Sequence, residues 1–164
     1  MTTGRLGVGI VGAGFNGRFH IRAWTGVRDA DILAVFDPDR KSAEEAAALA
    51  RHLGVGAARV VGSITEMVDD PLVNAVWICA PNFTRIAVME EIAATLGAGK
   101  AWLAGVCCEK PLGRNVAEAR RMRDLARGAN LLDGYLENQL FAPAVTRAKE
   151  VVWSRGAALT GPPY

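Results

Sequence analysis

The stretch LGVGIVGAGFNG, residues 6–17, decides the fold of this chain. Residues 6–11 are short, apolar and rich in β-branched side chains, which predicts a strand buried in a parallel sheet. Residues 12–17 follow as a G-x-G-x-x-G turn, and the helical pattern of residues 15–24 begins inside that turn. A strand, a glycine turn and a helix in this order form the fingerprint of dinucleotide-binding domains.

Each glycine of the fingerprint has a separate physical task. Gly12 permits the tight turn, Gly14 lets the backbone approach a pyrophosphate, and Gly17 lets the helix pack closely on the strand. The phosphates would then meet backbone N–H groups at the positive end of the helix, near Phe15 and Asn16. The alternative is a glycine turn with a purely structural role, because such turns are common.

Asp37 strengthens the dinucleotide interpretation. It lies 20 residues after Gly17, at the end of a second apolar run, residues 32–36. An acid at that place binds the ribose hydroxyls of the adenosine and repels a 2′-phosphate, which favours NAD. Arg40 and Lys41 are near enough in sequence to accommodate that phosphate, so NADP stays possible. Asp37 could instead be a plain helix-entry acid before Pro38.

Strand and helix patterns alternate along the rest of the chain. This predicts a doubly wound, mostly parallel α/β sheet in a single domain over residues 1–155. The predicted strands are residues 6–11, 32–36, 59–61, 73–79, 102–108 and 131–135, and the predicted helices are residues 15–24, 40–53, 64–68, 84–96, 116–126 and 143–153.

Three polar turns fall at the predicted carboxyl ends of strands. They contain Asp37, the segment Ala80-Pro81-Asn82, and the segment Glu109-Lys110-Pro111. Ligands of doubly wound sheets bind beyond the carboxyl ends of the strands, at the switch in strand order. We therefore expect these turns to converge on one crevice.

Composition narrows the classes of function. The chain has 164 residues, 51% of them hydrophobic and 22% charged, with a net charge of +2. This charge, without a basic stripe, gives no reason to expect nucleic acid as a partner. There is no apolar run of membrane-spanning length and no secretory signal pattern, so a cytoplasmic protein that does not bind membranes is expected.

Cysteine and histidine usage gives no indication of a metal site. Cys79, Cys107 and Cys108 are odd in number and lack C-x-x-C spacing. Small buried thiols in a reducing compartment are the simplest interpretation. His20, on the helix of the fingerprint, has no evident partner near it in the sequence and is expected to be packed rather than catalytic.

Four segments together resemble the N-terminal half of the Gfo/Idh/MocA family of oxidoreductases. They are GIVGAGFNGRFH (residues 9–20), AVFDPDR (34–40), CAPNFTR (79–85) and GVCCEKPLGRN (105–115). The resemblance implies an NAD(P)-dependent enzyme that moves hydride between nicotinamide and a hydroxyl-bearing carbon of a sugar, polyol or related substrate. By position, Lys110 would contact the substrate oxygen, Glu109 would hold that lysine, and Pro81 and Asn82 would line the nicotinamide ribose.

The sequence departs from the family pattern at three places. Arg85 stands where the family often has histidine, and the segment between Lys100 and Glu109 is longer than usual. The family also has a large antiparallel sheet domain after this one, whereas this chain stops at Tyr164. We therefore expect only the cofactor-binding half, nearly inactive at this length, with residues 156–164 as a segment crossing towards the absent domain.

A further expectation follows from an absent second domain. Apolar surface near Val152, Trp153 and Tyr164 would be uncovered, so a homo-oligomer is expected.

A stand-alone dinucleotide-binding or regulatory module without catalysis is the alternative function. A methyltransferase is a third possibility, and the third glycine and the Glu-Lys-Pro turn count against it.

Overall fold

The computed structural model of the chain describes residues 4–99 and 101–156, the last two by their backbone only. In these residues, six strands alternate with six α-helices. The strands are β1 (Leu6–Val11), β2 (Ala30–Phe36), β3 (Arg59–Val60), β4 (Ala75–Ile78), β5 (Gly105–Glu109) and β6 (Leu132–Leu136), and the helices are α1 (Phe15–Ala23), α2 (Arg40–His52), α3 (Ile64–Asp69), α4 (Arg85–Gly97), α5 (Val116–Gly128) and α6 (Pro143–Val151). A short π-helical turn, Val152–Gly156, continues α6.

The six strands form one parallel sheet in the order β3-β2-β1-β4-β5-β6. Strand order reverses between β1 and β4, so a crevice opens beyond the carboxyl end of β1. The predicted doubly wound α/β fold is confirmed. Within the described residues, no helix is both long and apolar enough to cross a membrane.

Helices cover the two faces of the sheet with separate apolar cores. One core joins β1 and β2 to α1 and α2, and the other joins the middle of the sheet to α3, α4 and α5. The inner face of α2 consists of four fully buried alanines, Ala43, Ala46, Ala47 and Ala50. Methyl groups are the smallest side chains that can fill this contact, so α2 lies close against the sheet.

Helix starts agree with the capping pattern of the sequence. The side chains of Asp39, Ser63 and Asn115 accept backbone N–H groups in the first turns of α2, α3 and α5. Such caps satisfy donors that have no partner inside the helix.

The predicted limits of the fifth strand are wrong. Residues 102–108 were expected, but β5 begins at Gly105 and ends at Glu109. Its partner β4 begins only at Ala75, which pairs with Gly105, so the preceding residues have no neighbouring strand on that side. Trp102 is apolar and fits the strand pattern, yet it lies in the loop before β5 with 67% of its surface exposed.

Residues 157–164, most of the predicted crossing segment, lie outside the described residues. The same holds for Tyr164, one of the side chains expected at an uncovered apolar surface. The other two, Val152 and Trp153, are 41% and 54% exposed. Self-association through this surface stays a prediction.

Candidate functional site

A cleft of about 530 Å³ opens at the carboxyl ends of β1, β2 and β4. The glycine turn and two of the three turns predicted to converge, the turn at Asp37 and the turn after β4, meet there. The third, Glu109-Lys110-Pro111, does not line the cleft, so that part of the predicted convergence is wrong. The predicted site residues that line it are Gly12, Gly14, Phe15, Asn16, Asp37, Ala80 and Pro81. Gly17, Arg40, Asn82, Glu109 and Lys110 do not line the cleft, and their predicted contacts with a cofactor or substrate stay predictions.

Gly12 is required by its backbone and its surroundings. Its φ is +99°, a region that favours glycine, and a Cβ atom built there would lie 2.5 Å from the backbone nitrogen of Ala80. The N–H of Gly12 donates to the carbonyl of Phe36 at 2.8 Å. The first glycine therefore ties the end of β1 to β2 and to the turn after β4.

Gly14 and Gly17 face opposite environments. A Cβ atom on Gly17 would lie 2.0 Å from the carbonyl oxygen of Gly12, inside the protein. A Cβ atom on Gly14 would meet no atom within 4 Å, and Gly14 lines the cleft. Gly17 thus allows close packing within the domain, and Gly14 leaves open the space that a ligand needs.

The backbone N–H groups at the amino terminus of α1 lie at this space, because Gly14, Phe15 and Asn16 line the cleft. Gly14 is the N-cap residue of this helix, and no side chain caps it. Its first turn carries no acidic residue. Free N–H groups at a helix start form an anion site, because they add hydrogen bonds to the positive end of the helix dipole.

Asp37 is oriented by two backbone groups. One carboxylate oxygen accepts the N–H of Ala13 at 2.7 Å, and the other accepts the N–H of Asp39 at 2.9 Å. Asp39, not Asp37, caps α2, which counts against Asp37 as a plain helix-entry acid. Each oxygen keeps a lone pair free, so the carboxylate can still accept a hydroxyl from a ligand in the cleft.

Arg40 does not face the cleft. Its guanidinium pairs with Glu44 at 3.0 Å on the exposed side of α2. Binding of a 2′-phosphate by Arg40 would require this side chain to leave Glu44 and turn towards Asp37.

Arg85, at the first position of α4, is the main site residue that sequence reasoning missed. It is 3% exposed and lines the cleft. Its Nε donates to the carbonyl of Ala80 at 2.8 Å, and its Nη1 donates to the carbonyls of Glu109 and Pro111. One side chain therefore joins the turn after β4 to the turn after β5.

Glu109 has a different partner from the one that the family resemblance implies. Its Oε1 lies 2.9 Å from Nε2 of His20, on α1, and its Oε2 is buried without a hydrogen-bond partner in the part of the chain that the structure describes. His20 is half-buried and has a partner that lies 89 residues away, although no partner was evident from the sequence; its lack of a catalytic role stays a prediction. A buried glutamate needs such a partner, and this requirement is the signal that could have linked the two residues.

Lys110 is exposed and comes directly after Glu109, the last residue of β5. Its peptide bond to Pro111 is cis. The structure describes no hydrogen bond or ion pair between Lys110 and Glu109.

The cysteines lie close to this region and two of them are buried, as predicted; Cys107 is half-buried. Burial raises the pKa of Cys79 to about 12, and the negative charge of Glu109 adds to that effect. Burial likewise raises the pKa values of Cys107 and Cys108 to about 11.

We expect the native thiols to react slowly with a disulfide reagent at pH 8. Thiols with a pKa of about 11 are ionised to only about 0.1% at that pH, and the thiolate is the nucleophile. Cys107 should react first, because it is the least buried of the three. Absorbance of the released thiol measures the rate, and the denatured chain, where all three groups regain ordinary pKa values, is the control. Rapid labelling of Cys79 in the native protein would contradict this prediction.

The sheet order, the glycine turn and the carboxylate at the end of β2 define a dinucleotide-binding domain of the Rossmann type. The chain belongs to the Gfo/Idh/MocA family, an oxidoreductase family with an NAD-binding Rossmann fold, whose sequence model matches residues 6–133. The resemblance inferred from the four segments is confirmed, and so is NAD as the cofactor class of the domain.

Several characterised proteins are similar to the chain. A levoglucosan dehydrogenase of Pseudarthrobacter phenanthrenivorans is 32% identical over 90% of this chain and 37% of its own length. Inositol 2-dehydrogenase 1 of Saccharopolyspora erythraea is 33% identical over 88% of this chain and 40% of its own length. The chain therefore spans about two fifths of these relatives.

A solved structure is also similar to this chain. GenD2 from gentamicin A biosynthesis, crystallised in complex with NAD, is 28% identical with a TM-score of 0.77. It aligns with 96% of this chain and 41% of its own.

Proposed function

We propose that this chain binds NAD(H) across the cleft and forms the cofactor-binding part of an oxidoreductase. The enzyme would move hydride between the nicotinamide and a hydroxyl-bearing carbon of a sugar, polyol or related compound. The observation that carries the proposal is the open space at Gly14, next to the carboxylate of Asp37. The two relatives described above, which are named for levoglucosan and inositol, support a polyol-type substrate.

Each part of the cleft has a role in this proposal. The main chain at Gly12, Gly14 and the start of α1 holds the pyrophosphate, and Phe15 and Asn16 contribute N–H groups. Asp37 accepts hydrogen bonds from the adenosine ribose. Its negative charge opposes a 2′-phosphate, so we place NAD ahead of NADP. Pro81, in the cleft, and Asn82, which follows it outside the cleft lining, would line the nicotinamide ribose.

Lys110 is the proposed catalytic residue. Bound NAD supplies the hydride chemistry. An alcohol that loses hydride must also lose a proton, and a lysine amine beside the substrate oxygen can orient that oxygen and relay the proton. Glu109 supports Lys110 from the preceding position.

A stand-alone dinucleotide-binding module is the second candidate. The observation that favours it is the position of Glu109 and Lys110, neither of which lines the cleft. Oxidation of a panel of polyols, followed by NADH absorbance, separates the two candidates. Turnover that disappears in Lys110→Ala supports the enzyme. Because the cofactor-binding part alone is expected to be nearly inactive, tight NAD binding without turnover on any polyol supports the module only if the reading frame of the gene also stops after Tyr164. For either candidate, we also propose a cytoplasmic location and self-association of the chain.

Asp37→Ala is expected to weaken NAD binding and to change the preference for NADP. Loss of a charged acceptor removes about 1.5–3 kcal/mol, or about tenfold to a hundredfold in affinity. NADP should lose less, because its 2′-phosphate no longer meets a carboxylate. Calorimetric titration of both nucleotides gives the ratio of the two dissociation constants.

Asp39→Ala is the matched control for Asp37→Ala. Asp39 is an acid in the same turn that caps α2 and does not line the cleft. It should leave the NAD to NADP ratio unchanged. An unchanged ratio in Asp37→Ala as well would refute the ribose contact, and no heat with either nucleotide in the wild type would refute the proposed function.

A further inference from the structure

Arg85 is a buried cation whose described partners are all backbone carbonyls. Arginine is rarely buried to 3% exposure unless its charge is compensated. In the described part of the chain, no carboxylate lies within salt-bridge distance of its guanidinium. Instead the carbonyls of Ala80, Glu109 and Pro111 surround it, and these dipoles compensate the charge.

These carbonyls belong to two separate turns, one after β4 and one after β5. Ala80 belongs to the turn after β4, which lines the cleft. Glu109 and Pro111 flank Lys110 on both sides, so the guanidinium fixes the main chain immediately before and after the lysine. Lys110 has an exposed side chain on a backbone that is held at two points.

The side chain of Glu109 is held from a third direction. His20 contacts it from α1, the helix that begins at the glycine turn. Glu109 is 8% exposed, so this contact is shielded from bulk water. His20, Glu109 and Arg85 therefore connect the phosphate end of the cleft to the turn that carries Lys110. We call these three residues the brace.

We propose that Arg85, supported by the His20–Glu109 pair, is a positioning residue that holds Lys110 and the turn after β4 in register for the nicotinamide half of the cofactor. This inference rests on the proposed function. It assigns a task to the residue at which the sequence departs from the family pattern. A guanidinium presents five N–H donors in a planar fork, whereas an imidazole has only two nitrogens, so arginine can bond three carbonyls at once.

The test compares two ligands that occupy different parts of the cleft. Arg85→Gln should weaken NAD binding at least about tenfold and leave ADP binding within about twofold, because ADP lacks the nicotinamide half. Arg85→Lys, which keeps the charge, should recover part of the lost NAD affinity. Arg121→Gln is the control, since Arg121, on α5, is an exposed arginine that pairs with Glu90 and does not line the cleft.

Equal losses of NAD and ADP affinity in Arg85→Gln would overturn the inference, because they would indicate a general structural role. Unchanged NAD affinity would overturn it too. If Arg85→Gln fails to fold, Arg85→Lys and His20→Gln give the same comparison, and His20→Gln should also weaken NAD more than ADP.

Hydrogen exchange in ligand-free protein tests the brace independently of the proposed function. In ligand-free protein, Arg85→Gln should speed amide exchange in a peptide covering residues 106–114 and leave a peptide from α2 unchanged. If the wild type binds neither NAD nor ADP, the proposed function fails, and exchange still decides whether the brace holds the turn. Unchanged exchange over residues 106–114 would overturn the brace whatever the ligand results.

Discussion

Gly14→Val is expected to fold normally and to lose at least about 100-fold in NAD affinity, or ~2.8 kcal/mol. A Cβ atom at this position would meet no atom within 4 Å, so we expect the fold to tolerate the new side chain. The same space lies in the cleft where the pyrophosphate would approach the main chain. Thermal unfolding measures the first expectation, and calorimetric titration with NAD measures the second.

Gly128→Val is the control for this substitution. Gly128 ends α5, and a Cβ atom there also meets nothing within 4 Å. It does not line the cleft. This variant should bind NAD like the wild type. Undiminished NAD affinity in Gly14→Val would contradict the phosphate position and with it the proposed function.

Gly17→Ala is expected to lower the stability of the fold, whereas Gly14→Val is expected to leave stability unchanged and lower NAD affinity. A Cβ atom at Gly17 would lie 2.0 Å from the carbonyl oxygen of Gly12, which is backbone and cannot rotate away. Overpacking of this kind costs up to about 3 kcal/mol, and occasionally more. For a domain of this size that lowers the melting temperature by about 10 °C.

Gly128→Ala serves as the comparison, because it adds the same methyl group at an open helix position. Its melting temperature should change little or rise, since alanine favours a helix over glycine. A melting temperature for Gly17→Ala within about 2 °C of the wild type would show that α1 can move away from β1 at small cost.

The local sequence was sufficient to predict the order of strands and helices. Apolar β-branched runs and Ala-rich or capped helices alternate clearly, and the fingerprint at residues 6–17 predicted the first strand, the glycine turn and the first helix. Strand limits were less predictable. Whether Trp102 belongs to β5 depends on where β4 begins, and that is a property of the pairing between strands rather than of the run itself.

The site residues, too, were predictable where they depend on the local sequence and not where they depend on contacts between distant segments. The glycines and Asp37 were predictable, because their spacing reflects one strand-turn-helix unit and its neighbour. Arg85 and His20 were not, because their partners lie in other units: 24 and 26 residues away for the bonds of Arg85 to Glu109 and Pro111, and 89 residues away for His20. Neither residue type signals such contacts. Only the need to neutralise a buried charge would have pointed to them.

The alanine face of α2 keeps this helix close to the sheet, beside the end of the cleft that contains Asp37. Because Ala43, Ala46, Ala47 and Ala50 leave only methyl groups between helix and sheet, the start of α2 and the neighbouring Asp37 are held near the glycine turn. A leucine in place of Ala43 would act as a wedge: it would lift the helix and carry the carboxylate away from Ala13. In the proposed NAD complex, nucleotide recognition at this end would thus depend on side chains that do not touch the nucleotide, and substitutions confined to the cleft lining would leave this dependence untested.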